Sequence, residues 1–110
     1  MSKYHSQMIK YDGLVFDSKH EAERWKWLRF MEHSGEIKQL QRQVEFVLQE
    51  AFHKNGKRYR KISYFADFVY RDVRTGSIIV EDAKGYKTEV YKIKKKLFEY
   101  RYPDLEIREV

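Results

Sequence analysis

A chain of 110 residues has room for one hydrophobic core, and 42% apolar residues with 16% aromatics can fill it, which excludes disorder as the default state. Lysine and arginine outnumber aspartate and glutamate by 23 to 17, a formal net charge of +6 that favours a polyanionic partner, nucleic acid first. Cysteine is absent, which excludes disulfides and thiolate chemistry; with no membrane-length apolar run and no leader-like start, a reducing, cytoplasmic setting and no membrane partner are expected.

Residues 4–16, YHSQMIKYDGLVF, place Asp12-Gly13 between short apolar runs, which predicts an N-terminal hairpin within 1–16. A helix follows over 18–34, with Ser18 as N-cap, Glu21 three residues on and Gly35 closing it. Residues 37–49 partly alternate and predict a strand; Asn55-Gly56 then marks a turn, and 62–72 alternate again, giving a second hairpin. Arg74-Thr75-Gly76-Ser77 turns the chain into a strand over 78–84. From Thr88 to about Tyr102, apolar residues at Val90, Ile93, Leu97 and Tyr100 form a helical stripe that Pro103 ends, and LEIREV reads as a last strand. The expected fold is a single α/β domain over 1–110, with residues 17–110 as its core: αβββαβ around a mixed central sheet flanked by helices.

The strand over 78–84 raises the chemical question. Alternation puts Ile78, Val80, Asp82 and Lys84 on one face and Ile79, Glu81 and Ala83 on the other, so Glu81 reads as a bystander. Asp67 shares a face with Phe65 and Val69, inside an apolar row. Hairpin pairing of 62–72 with 78–84 brings Asp67 close to Asp82, where two carboxylates repel unless a cation lies between them. Mg²⁺ with oxygen ligands meets that need. The plainer readings are an Asp82–Lys84 ion pair at a solvated strand end, and Asp67 paired with Arg71 or a turn amide. Glu21 has two readings as well: closing a capping box with Ser18, or facing inward beside Trp25 and Leu28.

Together, Glu21, Asp67 and Asp82-Ala83-Lys84 resemble the PD-(D/E)XK nuclease superfamily, which carries an acid on the first helix, an acid on the second core strand and an acid-x-lysine on the third. F-D-S-K-H-E-A-E-R, Y-F-A-D-F-V-Y and V-E-D-A-K-G resemble more closely a family of short, largely phage-encoded proteins within it, similar to Holliday-junction resolvases, over about residues 11–110. Ala66 stands where the superfamily's name has proline, and Asp82 where it often has glutamate. The resemblance implies a restriction-endonuclease-like core and metal-dependent hydrolysis of DNA phosphodiesters. Asp67 and Asp82 would hold Mg²⁺, with Mn²⁺ able to substitute; the Ala83 carbonyl would be a further ligand, and Glu21 would complete the shell or hold a water there. Lys84 would orient the attacking water and steady phosphate charge. It also implies work in the host cytoplasm if the chain is phage-encoded.

Two basic clusters offer phosphate contacts: Lys54, Lys57, Arg58, Arg60 and Lys61 around the Asn55-Gly56 turn, and Lys92, Lys94, Lys95 and Lys96 in the last helix, of which Lys94 shares a side with Tyr91 and Phe98. Gln43 is a candidate accessory in the same cleft, though an ordinary strand residue is the simpler reading. Trp25 and Trp27 read as core or interface rather than base-stacking platforms, and His5, His20, His33 and His53 lack zinc-ligand spacing. A core this small has little room for a sequence-reading module, which favours recognition of DNA shape. The expected substrate is branched DNA, cut by a homodimer, by analogy with junction resolvases. Alternatives are a DNA-binding module that does not cleave, whose mark would be a missing acid or lysine, and a nuclease subunit of a phage replication, recombination or packaging complex.

Overall fold

In the computed structural model, which describes residues 8–110, ten elements follow one another. They are β1 (Ile9–Tyr11), β2 (Leu14–Phe16), α1 (Lys19–His33), β3 (Ile37–Gln49), β4 (Phe52–Lys54), β5 (Lys57–Tyr59), β6 (Ile62–Asp72), β7 (Ile78–Asp82), α2 (Glu89–Arg101) and β8 (Ile107–Glu109). The first seven residues of the expected N-terminal hairpin, His5 among them, lie outside the described residues. The rest of that hairpin forms β1 and β2, and its turn has Asp12 and Gly13 at φ 56° and 74°. Asn55 and Gly56 repeat this geometry, at 52° and 75°, between β4 and β5. Two positive φ angles in succession give the type I′ turn whose twist suits a two-residue hairpin, which is why Asp-Gly and Asn-Gly are legible signals.

The central sheet is mixed, in the order β3-β6-β7-β8. β6 pairs antiparallel with β3 and β7, while β8 returns parallel to β7 after the α2 crossover. The core order is therefore αβββαβ, in an α/β fold with helices flanking the sheet. Ser18 caps α1 by accepting a hydrogen bond from the Glu21 amide, and Thr88 caps α2 by accepting one from the Tyr91 amide. Each cap satisfies an amide the helix itself leaves unpaired, a contribution of about 1 kcal/mol.

Two apolar clusters cover the sheet. The α1 cluster joins Phe16, Ala22, Trp25, Leu28, Ile37, Phe68, Tyr70 and Ala83; the α2 cluster joins Leu48, Tyr64, Ala66, Val80, Tyr91, Phe98 and Ile107. Their membership breaks simple alternation. Tyr64 and Ala66 belong to one cluster, Phe68 and Tyr70 to the other, although all four share parity along β6. On the paired strand, Arg42 lies over the Phe16 and Trp25 rings of the α1 cluster while Phe46 packs on Phe98 and Tyr102 on the α2 side. Both strands thus exchange faces at one step, between the pairs Arg42↔Phe68 and Val44↔Ala66, a register that sets Gln43 opposite Asp67. Gln43 has φ 52°, a left-handed conformation uncommon for a side-chain-bearing residue, and this turns the strand over. A second left-handed residue, Gln39 at φ 58°, lies within the register shift between Lys38 and Gln41.

Three sequence expectations need correction. β7 ends at Asp82, so Ala83 and Lys84 lie beyond the strand. Most of the α2 stripe faces outward: Val90 and Ile93 are exposed and Tyr100 is 87% exposed, while Leu97 packs half-buried against the α2 cluster and Tyr91 and Phe98 are the buried residues of the helix. Periodicity fits either face of a helix rich in both residue types, and the two aromatics have the bulk to fill the gap beneath it. Phe65 is exposed too, because the exchange of faces at Asp67 removes it from the apolar row.

Candidate active site

Four elements or their ends bring the predicted residues together: the first turn of α1, the kink of β3, the middle of β6 and the end of β7. Glu21 is buried, and its carboxylate turns inward. The Gln43 side-chain amide lies between two acids, donating to Glu21 Oε2 at 3.4 Å and to Asp67 Oδ1 at 3.2 Å. The other Asp67 oxygen accepts the Ala83 backbone N–H at 2.8 Å, tying β6 to the residue just past β7. Of the plainer readings of Asp67, an amide partner is therefore correct in kind, although the amide belongs to the strand end and Arg71 donates to the Gly76 carbonyl instead.

Asp82 is 1% exposed. Its Oδ2 accepts a hydrogen bond from the Tyr64 hydroxyl at 2.6 Å, while Oδ1 is buried with no hydrogen-bond partner among the described residues. Lys84 Nζ approaches that oxygen to 3.7 Å, an ion-pair distance too long for a hydrogen bond, and lies 5.3 Å from the Tyr91 ring centre. A buried carboxylate oxygen without a donor is costly, and such groups need an explanation.

The electrostatics have a common cause. Burial pushes the Glu21 carboxyl up to about 7, and the neighbouring Asp67 and Asp17 charges add to the rise; Arg42, 3.6 Å from Oε2, opposes it. Burial likewise raises Asp82; the Tyr64 hydrogen bond and Lys84 oppose that rise, and Asp67 adds to it. Glu21 and Asp82 thus each feel the charge of Asp67, which lies between them in this coupling, with Lys84 beside Asp82.

The donor set fits a hard divalent cation in chemistry: all oxygen, mutually repelling, with one buried oxygen left without a donor. As the side chains stand, no group of three or more His, Cys, Asp or Glu among the described residues is arranged to hold a metal ion. The hydrogen bonds of Gln43 account for part of this, since its amide occupies the space between Glu21 and Asp67. Asp67 and Asp82, joined by Glu21, are the residues that would hold the cation. Ala83 offers its N–H to Asp67.

Glu81, expected to be a bystander, is fully buried. Arg24 grips it with two hydrogen bonds, 2.8 and 2.6 Å, and the Tyr70 hydroxyl donates to it as well. Arg24 is one helical turn from Glu21, and Glu81 is next to Asp82. The pair thus fixes the helix that carries one acid to the strand that carries another. Tyr64 and Arg42 were also missed. Their only signal was an aromatic and a cation at positions whose face depends on the kink.

The basic residues divide. Lys61 is engaged by Glu45 at 2.8 Å and Lys95 by Glu109 at 3.3 Å, so neither is a ready phosphate contact. Lys54, Lys57, Arg58 and Arg60 are exposed, with no ion pair to them among the described residues. Lys92 pairs with Glu89. Lys94 is half-buried on α2, and among the described residues no hydrogen bond joins it to the acids. Trp25 is core, and Trp27 lies exposed against Phe30.

The class defined by this fold and site is a small α/β protein whose mixed sheet gathers carboxylates from α1, β6 and β7 beside a lysine. The chain belongs to the family described as "Protein of unknown function (DUF1064)", which matches residues 1–110. No curated protein and no solved structure matches it. Among the described residues, no helix is long and apolar enough to cross a membrane.

Proposed function

We propose that this chain is a divalent-cation-dependent DNA endonuclease of the PD-(D/E)XK kind, selective for branched DNA such as four-way junctions and acting as a homodimer. The observation that carries the reading is the buried Asp82 oxygen without a donor, with Lys84 and the Asp67 charge beside it and Glu21 joined to Asp67 through Gln43, in αβββαβ order. Mg²⁺, or Mn²⁺ in its place, would be held by Asp67 and Asp82, with Glu21 and the Ala83 carbonyl completing the shell. Bound there, it would supply Lewis-acid stabilisation of the charge that builds on a phosphate under in-line attack.

The chain's own residues supply the rest. The Tyr64 hydroxyl fixes the Asp82 carboxylate and leaves Oδ1 facing the site. Burial pushes the Tyr64 hydroxyl far above its ordinary value, and the carboxylate it donates to adds to that rise, so it remains a donor. The Ala83 amide holds Asp67 in the same way. Lys84, more than a third exposed at its side chain, can follow a phosphate oxygen as charge develops and orient the attacking water. Gln43 keeps Glu21 and Asp67 apart until a cation replaces its hydrogen bonds. A homodimer belongs to the reading because two strands of a junction need two sites.

The test is cleavage of end-labelled four-way junction, flap and duplex by purified protein in Mg²⁺, in Mn²⁺ and in chelator. Paired nicks in the junction are expected, absent in chelator and reduced at least about a hundredfold by Asp67→Asn or Asp82→Asn. Equal cutting of all three DNAs would remove the branch selectivity. Junction binding without cutting under any metal would leave a DNA-binding module, or a subunit that needs its complex.

A further inference from the structure

The β4–β5 hairpin belongs to neither apolar cluster. It forms its own two-stranded sheet beyond the Gln49↔Ile62 pair, and every residue from 49 to 62 is exposed. A two-stranded hairpin with no core beneath it is marginal in water, so its order must come from its own cross-strand contacts. Those contacts are aromatic. Phe52 and Tyr59, directly paired, stack with ring centres 4.7 Å apart and planes within 8°. That spacing leaves no room between them, so the Lys57 ammonium, 5.1 Å from the Tyr59 centroid, covers the outer face of Tyr59. No ring or cation among the described residues covers the outer face of Phe52, which remains 39% exposed. Around this stack lie Lys54, Arg58 and Arg60, all exposed.

We infer that this hairpin is a nucleic-acid arm in which Phe52, backed by Tyr59, stacks on a base laid open where a duplex is interrupted, while Lys54, Lys57, Arg58 and Arg60 hold the flanking phosphates. The inference rests on the nuclease reading and gives its branch selectivity a physical source. In continuous duplex the bases cover one another and offer no face to a protein ring; at a branch point, unstacked bases do, and an aromatic platform accepts any of them. Phosphate contacts alone would hold both DNAs equally. The reach is suitable: five residues of β6 separate Asp67 from the base of the hairpin, about 17 Å, the rise of about five base pairs. An arm at the branch point would therefore set the acids a few base pairs along one duplex limb.

The test compares binding of a four-way junction carrying 2-aminopurine at the branch with binding of a duplex of the same length, in chelator so that neither is cut. The wild-type chain is expected to prefer the junction and to change the 2-aminopurine fluorescence. Phe52→Leu with Tyr59→Leu keeps an apolar pair yet removes the rings; it should reduce junction affinity about tenfold or more, change duplex affinity less than twofold and abolish the fluorescence change. Phe52→Trp should retain the preference, which separates loss of stacking from loss of the hairpin. Lys57→Gln with Arg58→Gln should weaken both DNAs alike. Equal losses on both DNAs from the leucine pair, no loss at all, or no junction preference in the wild type would each overturn the arm. Failure of the nuclease reading looks different: junction binding that depends on Phe52, with no cleavage when Mg²⁺ is restored. A chain that binds no DNA sinks both.

Discussion

Glu21 is the residue whose chemistry is most open to measurement. Its carboxyl titrates at about 7 in the folded chain, against an ordinary value of 4.5, because burial and the Asp67 charge disfavour the anion. The folded state therefore holds the proton more tightly than the unfolded one. The stability this gives is complete below about pH 4.5 and is lost as pH rises through about 7, on the order of 3 kcal/mol. The metal-free chain should be less resistant to urea at pH 8 than at pH 5, and Glu21→Gln should flatten that dependence. Added Mg²⁺ should restore stability at the alkaline end of the wild type and do little for the variant. Gln43 allows a second comparison at this scale. Its φ of 52° costs a side-chain-bearing residue about 1 kcal/mol or more, and a β-branched one further strain. Gln43→Gly should leave stability level or higher in urea denaturation, whereas Gln43→Val should lower it by about 1–2 kcal/mol. Both should tighten Mg²⁺ binding by freeing Glu21 and Asp67.

Among the elements, the join between α1 and β7 governs the site. Glu81 is buried with two Arg24 hydrogen bonds and a Tyr70 hydroxyl, so deleting it strands a guanidinium against the core. Removing one partner of a fully buried ion pair costs about 3–5 kcal/mol, less here because the Arg24 side chain is 26% exposed, while loss of one hydroxyl donor costs about 1. Glu81→Ala should therefore lower the midpoint of urea unfolding far more than Tyr70→Phe, and at temperatures where it remains folded it should still bind Mg²⁺ poorly, because Glu21 is no longer aligned with Asp82. The elements themselves were well marked in the sequence. Asp12-Gly13 and Asn55-Gly56 mark the hairpins and Ser18 and Thr88 the helix starts; strand parity points to Asp67 and Asp82, whereas Glu21 is legible only from its place after the Ser18 cap and its helical face. Parity was also the source of the errors. It holds only while a strand stays regular, and nothing in Gln43 or Asp67 as residue types says that both strands exchange faces there. Parity makes Glu81 a bystander because it faces away from Asp82, yet facing away is what lets it hold the helix.

The described residues form a flat body, 54 × 41 × 22 Å, and the chain's net charge of +6 is distributed unevenly. Lys61, Lys92 and Lys95 are engaged by acids, which leaves Lys54, Lys57, Arg58 and Arg60 as the concentrated positive surface at one end of the sheet. Four phosphate contacts correspond to a slope of about −3.6 in log affinity against log salt. Replacing all four residues by glutamine should remove most of the slope for duplex DNA, while Lys61→Gln and Lys95→Gln should barely change it. Fluorescence anisotropy across a salt series measures both.

The two left-handed residues of β3 have a consequence outside the site. β3 is thirteen residues long and lies at the rim of the sheet, with β6 as its only hydrogen-bonded neighbour among the described residues. A straight rim of that length would present a ladder of amides and carbonyls about 43 Å long to any other chain. Breaks at Gln39 and Gln43 divide it into short runs that do not lie flat against a second strand. The turn of backbone that brings an amide between Glu21 and Asp67 thus also protects the chain from self-association through this edge. Straightening it to improve the site would carry the risk of filaments.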